Sequence, residues 1–400
     1  MKIAVVLAGE WIPGSVDMTE YLKQLNALGH ESLMICCDKS EGPADYETHA
    51  VDRPTMQDPG FYRNLKIDAA IAFTWFTHPL ILTALKQAGV RTLLRADSDG
   101  MISFRQFPAH HIRVRMAGEH DIRGRVRAAK HLLQRYLVGY KEEDRCTLGS
   151  IEQSDLVVLE TQQAANNIFD FLDRQHREDL KSRITVVPHF VADEFLNADL
   201  TETRDDTVVA IGRWDDPQKN AGLLSAAIDL HLSQKPSTKF FIIGSERGRA
   251  EFASLTRKCP QVTYTGPQNA TGVRQHLSRA RVLLSASRWE GSPVVANEAL
   301  AMGCTVVGTP IAAFVDICAN TGFGTVARSH APAALARALR LELQAWDANQ
   351  RAPIAIAAHW RPLLSSQRIV TTLADLLQHN KPNCDTGLRP VRMTSKVQTV

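Results

Sequence analysis

Two glutamates, Glu290 and Glu298, bracket the stretch Glu290-Gly-Ser-Pro-Val-Val-Ala-Asn-Glu298. Within it, Ser292 suits an N-cap and Pro293 a first helical position, where the missing N–H costs nothing. Glu298 then lies about five or six residues into the helix, roughly 8–9 Å along its axis, while Glu290 stays in the loop ahead. A helix start with free N–H groups attracts phosphate. A carboxylate such as Glu298 accepts two hydroxyl hydrogen bonds at once and suits a ribose diol. Glu290 is placed to orient the hydroxyls of a sugar ring or offset positive charge that develops on it. The pattern outlines a site for a diphosphate with carboxylates on either side.

Upstream, Gly212-Arg213-Trp-Asp-Asp-Pro-Gln-Lys219-Asn220 puts Arg213 at a strand end and Lys219 at the start of the next helix. Two cations there hold a diphosphate, Arg as a fork and Lys as a point charge. Fixed charges facing a departing nucleoside diphosphate are worth ~3 kcal/mol for each well-placed donor. Such a site does not need a metal.

The elements that must position these groups follow from the hydrophobic pattern. Strand Ile3 to Leu7, a loop with Gly9, Pro13 and Gly14, helix Asp17 to Leu28 and strand Ser32 to Cys36 make a strand–helix–strand unit and predict a parallel sheet. The loop lacks G-x-G-x-x-G spacing, so it either connects strand to helix or touches a ligand through Gly14. Strands at Ala69 to Phe73, Thr92 to Arg95, Leu156 to Leu159 and Ile184 to Val187 continue, with a helix from Pro79 to Gln87. Polar Asn197 to Asp206 is the expected linker. Strands at Thr207 to Gly212, Lys239 to Ile243 with Gly244 after it, Val262 to Thr265 with Gly266 after it, Val282 to Ser285 and Thr305 to Val307 then alternate with helices Ala221 to Leu232 and Thr271 to Arg279. Helical patterns close the chain from Pro332 to Ala345 and from Pro362 to Gln378. The expected fold is α/β, with two Rossmann-like doubly wound parallel-sheet domains facing a central cleft, because ligands sit beyond the carboxyl ends of such strands. The expected boundaries are 1–196, 204–358, a helix at 359–378 packing back on the first domain, and a disordered tail at 379–400.

The chain has 400 residues, a formal charge of +3 and seven cysteines without a C-x-x-C pair. This balance gives no ground for nucleic-acid binding, and the odd, unpaired cysteines point to reduced thiols and a cytoplasmic setting. The first ten residues look like a buried strand rather than a signal peptide. One charge anomaly stands out: Arg105, Arg113, Arg115, Arg123, Arg125, Arg127, Lys130 and Arg135 face only Glu119 and Asp121. With Val126, Ala129, Leu133, Leu137 and Tyr140 at helical spacing, residues 105–135 suit an anionic membrane surface, a lipid-phosphate acceptor, an acidic glycan or a solvated face.

The stretch from Glu290 to Glu298 resembles the E-x7-E motif of retaining GT-B glycosyltransferases, glycosyltransferase family 4 (glycosyl transferases group 1). Gly212-Arg213 with Lys219-Asn220 resembles that family's diphosphate segment. Phe241-Ile-Ile-Gly244, Val262-Thr-Tyr-Thr-Gly266 and Leu284-Ser-Ala-Ser-Arg-Trp-Glu290 are similar to its successive strand ends, and Leu28-Gly29-His30-Glu31, Ser154 to Val158 and Ile184 to Pro188 match more loosely. The resemblance implies that Arg213 and Lys219 grip the diphosphate, Glu298 the ribose and Glu290 the donor sugar. Gly291, Ser292, Pro293 and Val294 add backbone contacts, and Gly244 and Gly266 lie on the donor side. It further implies metal-independent transfer with retention, by front-face attack assisted by the leaving phosphate, from a nucleotide sugar to a glycan or lipid-linked acceptor in cell-envelope synthesis. No cofactor beyond the co-substrate is expected.

The first half departs from the family. Leu94-Arg95-Ala-Asp97 stands where a sugar-contacting His is common, which leaves Arg95, Asp97, His78 and Gly14 as candidate donor or acceptor contacts. Asp97-Ser-Asp99 is a D-x-D string of the type that ligates a divalent cation in another fold, and no metal is expected at it here. Two other readings remain at this level: a nucleotide-sugar epimerase of the same architecture, and a non-catalytic binding protein with this fold.

Overall fold

The computed structural model describes residues 1–9, 16–37, 45–100, 141–201 and 203–379, together with Val126, Ala129, Lys130 and Leu133. Gly14, the basic segment 105–135 apart from those four positions, and the tail beyond His379 lie outside the described residues. The described chain forms two compact units, residues 1–100, 141–189 and 366–379 in one and 190–365 in the other.

The first unit holds a seven-stranded sheet of β1 (Lys2–Leu7), β2 (Glu31–Cys37), β3 (Thr48–Val51), β4 (Ala69–Phe73), β5 (Arg91–Arg95), β6 (Leu156–Leu159) and β7 (Ile184–Val186), in the order β3-β2-β1-β4-β5-β6-β7. The second holds a six-stranded sheet of β8 (Thr207–Gly212), β9 (Lys239–Gly244), β10 (Val262–Gly266), β11 (Val282–Ser285), β12 (Thr305–Gly308) and β13 (Gly324–Val326), in the order β10-β9-β8-β11-β12-β13. The ladders are parallel. Central strands such as Ala69–Phe73 and Thr305–Gly308 are buried along their whole length, as expected where helices cover both faces.

Each sheet therefore has one place where the chain reverses its direction of travel across the strands. In the first sheet it lies between β1 and β4, and in the second between β8 and β11. In open α/β sheets, loops leaving the two strands that flank such a point on the carboxyl side diverge, and this is where ligands bind.

Two elements differ from the sequence expectation. The helix expected from Pro362 begins only at Ser366 and runs Ser366–His379, and a helix not expected from the sequence, Pro353–Trp360, precedes it across the turn in which Leu364 N–H bonds Trp360 O at 3.0 Å. Helix Ser366–His379 buries Ile369, Val370, Leu373 and Leu377 in the first unit, and Ser366 Oγ donates to Glu20 at 2.9 Å. Strands β3 and β13 carry too few apolar residues to be seen without their neighbours, and they take the sheet edges.

Buried arginines fasten both units. In the first, Arg95 is fully buried, donating to Val187 O at 2.6 Å, Pro188 O at 2.7 Å and Glu160 Oε1 at 3.2 Å. In the second, Arg204 donates to Leu277 O at 2.7 Å, Ser278 O at 2.5 Å and Met302 O at 2.5 Å. Those carbonyls end two helices, Ala270–Arg279 and Val294–Ala301, where orphan acceptors and the negative end of the dipole favour a cation.

Candidate active site

The switch point of the second sheet is built from two loops sewn together by backbone and side-chain bonds. Leaving β8, the chain turns at Asp216, whose carboxylate accepts from Gln218 N–H at 2.9 Å while its carbonyl accepts from Lys219 N–H at 3.0 Å. Asn220 then takes a left-handed φ of 55° and helix Ala221–Leu232 begins. From the β11 side, Arg288 N–H bonds Gln218 O at 2.9 Å, and the Arg288 guanidinium donates to Pro217 O. Gln218 Nε2 returns the connection by donating to Trp289 O at 2.8 Å.

Glu290 sits in the middle of this seam. Lys219 Nζ stands 2.5 Å from Glu290 Oε1, Ser287 Oγ donates to the same oxygen at 2.6 Å, and Gln218 Nε2 donates to Oε2 at 3.1 Å. Ser287 is itself fixed, since its carbonyl accepts from Thr309 Oγ1 just beyond β12. Three adjacent strand ends thus converge on one carboxylate. The side chains of Lys219 and Glu290 are 19% and 9% exposed, enough to meet a ligand yet dry enough for their charges to matter. A carboxylate whose oxygens accept from several fixed donors is held rigid, which suits orientation and electrostatic work better than proton abstraction.

The helix carrying Glu298 runs Val294–Ala301. Its N-cap is Pro293 rather than Ser292, and no side chain caps it. The sequence expectation is corrected by one residue because Pro293 adopts ψ 83°, outside the helical region, so the first helical residue is Val294. Glu298 is half-buried on this helix. The far end of the helix is pinned by Arg204 on Met302 O and by Arg361 Nε, which donates to Ala301 O at 2.9 Å.

Three other expected residues take different surroundings. Arg213 shares the loop with Lys219 but points to solvent, 73% exposed, and pairs with Asp216 at 3.2 Å outside the cluster around Glu290. Gly244 lies under the Trp214 indole: a Cβ there would stand 2.4 Å from Trp214 Cδ1, and Trp214 Nε1 donates to Ile243 O at 2.9 Å. Gly266 has φ +79°, and a Cβ there would meet Glu246 Oε1 at 2.4 Å. These glycines make room for side chains of the fold.

In the first unit, Arg95 is corrected from a ligand contact to an internal fastener, because its buried guanidinium is committed to Val187, Pro188 and Glu160. Asp97 is exposed and Asp99 buried, and among the described residues no group of three or more His, Cys, Asp or Glu is placed to hold a metal ion. His78 is half-buried at the start of helix Pro79–Gln87, its basicity lowered by desolvation and by nearby Arg53. Gln218 and Ser287 were not foreseen. Gln218 stands beside Lys219 in sequence, but nothing local ties Ser287 to a carboxylate.

Residues 205–344 match the family model of glycosyl transferases group 1. No curated protein sequence matches the chain. Among solved structures, the sucrose-phosphate synthase of Thermosynechococcus elongatus superposes with a TM-score of 0.65 at 15% identity, over 94% of this chain and 98% of that one. A glycosyltransferase from Rickettsia africae ESF-5 gives 0.63 at 14% identity, over 95% and 98%. Anabaena HepE in complex with UDP gives 0.66 at 12% identity, over 94% and 100%. Among the described residues, no helix is long and apolar enough to cross a membrane. The match to the group 1 glycosyltransferase model thus lies within the second unit, and the chain as a whole has the GT-B fold of two parallel-sheet Rossmann-like domains.

Proposed function

We propose that the protein is a retaining glycosyltransferase that moves a hexosyl or related sugar from a nucleoside diphosphate sugar to an acceptor hydroxyl in glycan, polysaccharide or glycolipid synthesis. The observation that carries this reading is the Lys219–Glu290 pair, locked by Gln218 and Ser287 across the switch point of a group 1 domain. Proteins of similar fold were solved with related ligands: HepE with UDP and glucose, and an Escherichia coli protein with UDP-2-fluoro glucose.

In this reading Lys219 faces the diphosphate, assisted by the uncapped start of helix Val294–Ala301 and by Arg213 swinging from Asp216. Glu298 holds the ribose diol and Glu290 the donor sugar. Glu290 also aims Lys219 before donor arrives. The bond from the anomeric carbon to the diphosphate breaks, the acceptor oxygen attacks the same face, and its proton passes to the departing phosphate. Lys219 then meets more negative charge than in the ground state, which is the condition for a catalytic gain. These fixed cations do the task of a metal, so chelators leave transfer unchanged. The first unit takes the acceptor, with His78 as a hydroxyl partner. The enzyme is cytoplasmic, and the basic segment 105–135 brings it to an anionic membrane face.

A panel of nucleotide sugars, scored for nucleoside diphosphate release with and without acceptor and by NMR for the product anomer, tests the proposal. Release coupled to a product of retained configuration supports it. A free sugar nucleotide with one inverted ring carbon overturns it in favour of epimerisation.

A further inference from the structure

The first sheet has the same kind of switch point as the second, between β1 and β4, and the loop leaving β4 there is Thr74-Trp75-Phe76-Thr77-His78. Its root is tied to β1, since Ala8 N–H bonds Phe73 O at 3.2 Å. Trp75 and Phe76 are consecutive residues with φ 47° and 60°. Bulky L residues avoid this left-handed region, and two in a row persist only where the surroundings over-determine them. The surroundings do so here. Thr74 O accepts from both Thr77 N–H at 2.9 Å and Thr77 Oγ1 at 2.8 Å, closing a tight turn. Phe76 is driven into the core, 3% exposed, while Trp75 is left 41% exposed.

Stability does not account for Trp75. Glycine would take its backbone angle freely, and a polar side chain would suit its exposure. An indole there breaks a local rule twice at a ligand-binding edge of the sheet, and such breaches gather at functional positions. Around it the chain offers mixed chemistry. Leu80 is 59% exposed, and the half-buried His78 caps no helix N–H. An exposed flat apolar face with an imidazole three residues on in the same loop suits a pyranose, whose ring carries one C–H face and an edge of hydroxyls.

We propose that Trp75 is the stacking platform for a pyranose ring of the acceptor, so that the acceptor is a glycoside rather than a simple lipid or protein hydroxyl. This inference rests on the glycosyltransferase reading above and names the class of its second substrate. The alternative use of an exposed Trp beside Leu80, dipping into a membrane interface, needs no hydroxyl partners and no placement at the switch point.

The test uses the full chain and its Trp75→Ala and Trp75→Tyr variants. Calorimetry with nucleoside diphosphates, UDP among them, first reports the donor site alone. Initial rates with a panel of methyl hexopyranosides and disaccharides then report the acceptor. Nucleoside diphosphate affinity is expected to be the same in all three proteins. Trp75→Ala should raise acceptor KM about tenfold, with the effect falling on KM more than on kcat, and Trp75→Tyr should restore most of it. Absence of any nucleoside diphosphate binding by the wild type would sink the glycosyltransferase reading itself. Normal nucleoside diphosphate binding with an unchanged acceptor KM in Trp75→Ala would overturn the platform alone. So would a wild type that prefers a simple alkyl alcohol to every pyranoside, or a variant whose only defect is weaker sedimentation with anionic liposomes.

Discussion

The two switch points of this protein share a topology and differ in almost everything else. In the second unit the crevice edge is polar and fully bonded: Lys219, Gln218 and Ser287 hold Glu290 so that its charge cannot drift. In the first, the corresponding loop is apolar and strained, with Trp75 displayed and Phe76 buried. A diphosphate demands fixed charge supplied before it arrives, which a rigid carboxylate–ammonium pair provides. A neutral polyol gains little from charge and more from a flat apolar face with a few hydroxyl partners. The same architecture thus accommodates opposite surface chemistries, because the sheet supplies only position.

The comparison breaks first at the charged end. Lys219→Ala should lower transfer about 10²–10³-fold with the circular dichroism spectrum unchanged, and Glu290→Gln should do likewise. In a double-mutant cycle on nucleoside diphosphate affinity the two should be strongly non-additive, since removing either leaves the other in a partly dry site. Turnover near wild type in either purified variant would remove the assignment.

The second effect separates the fasteners. Arg204→Ala leaves the carbonyls of Leu277, Ser278 and Met302 without their donor and should cost about 3 kcal/mol in denaturant unfolding. Because Arg204 anchors the far end of the Glu298 helix, nucleoside diphosphate affinity should fall as well. A Cm within error of wild type would contradict this.

The third is a pH effect confined to the second unit. His231, on helix Ala221–Leu232, is fully buried against Phe240 and 3.2 Å from Thr238 Oγ1, and desolvation, with Arg340 and Lys235 adding to it, pushes its pKa down to about 4. Unfolded, it titrates near 6.5. Its contribution to stability is therefore present above the unfolded value and lost as pH falls from about 6.5 toward 4. The loss should reach about 2 kcal/mol by pH 5. Thermal unfolding of the wild type and of His231→Phe between pH 8 and pH 5 measures it, and an equal pH slope in both would refute the assignment.

The smallest effect sharpens the apolar end. Trp75→Gly should stabilise the protein by ~1 kcal/mol, because glycine accepts φ 47° without strain. A clear loss of stability would mean that the indole is needed for folding.

Most strands and the helices beside them were legible because their causes are local. Ala69–Phe73 is a short unbroken apolar run and Thr207–Gly212 a run rich in β-formers, with loop residues after them, and Ala221–Leu232 follows its apolar pattern. The glutamate stretch and the Lys219 string were legible as chemistry too, since residue type and spacing carry that signal. Edge strands β3 and β13 were not legible, being held by neighbours rather than by their own composition.

What the sequence alone determined is the inventory: two alternating halves, a helix start flanked by carboxylates, and cations after a strand. Only the tertiary structure decided how that inventory is used. Lys219 and Glu290 are separated by 71 positions and meet because β8 lies beside β11, a pairing no local pattern encodes. Arg95 and Arg204 look alike as single letters, and only burial against carbonyls made both internal fasteners. Trp75 is one aromatic among many until the backbone places it outward at positive φ. The physical reason is common to all of these. Strand order, burial and loop conformation are set by long-range packing, whereas helix and strand tendencies are set by neighbours in sequence.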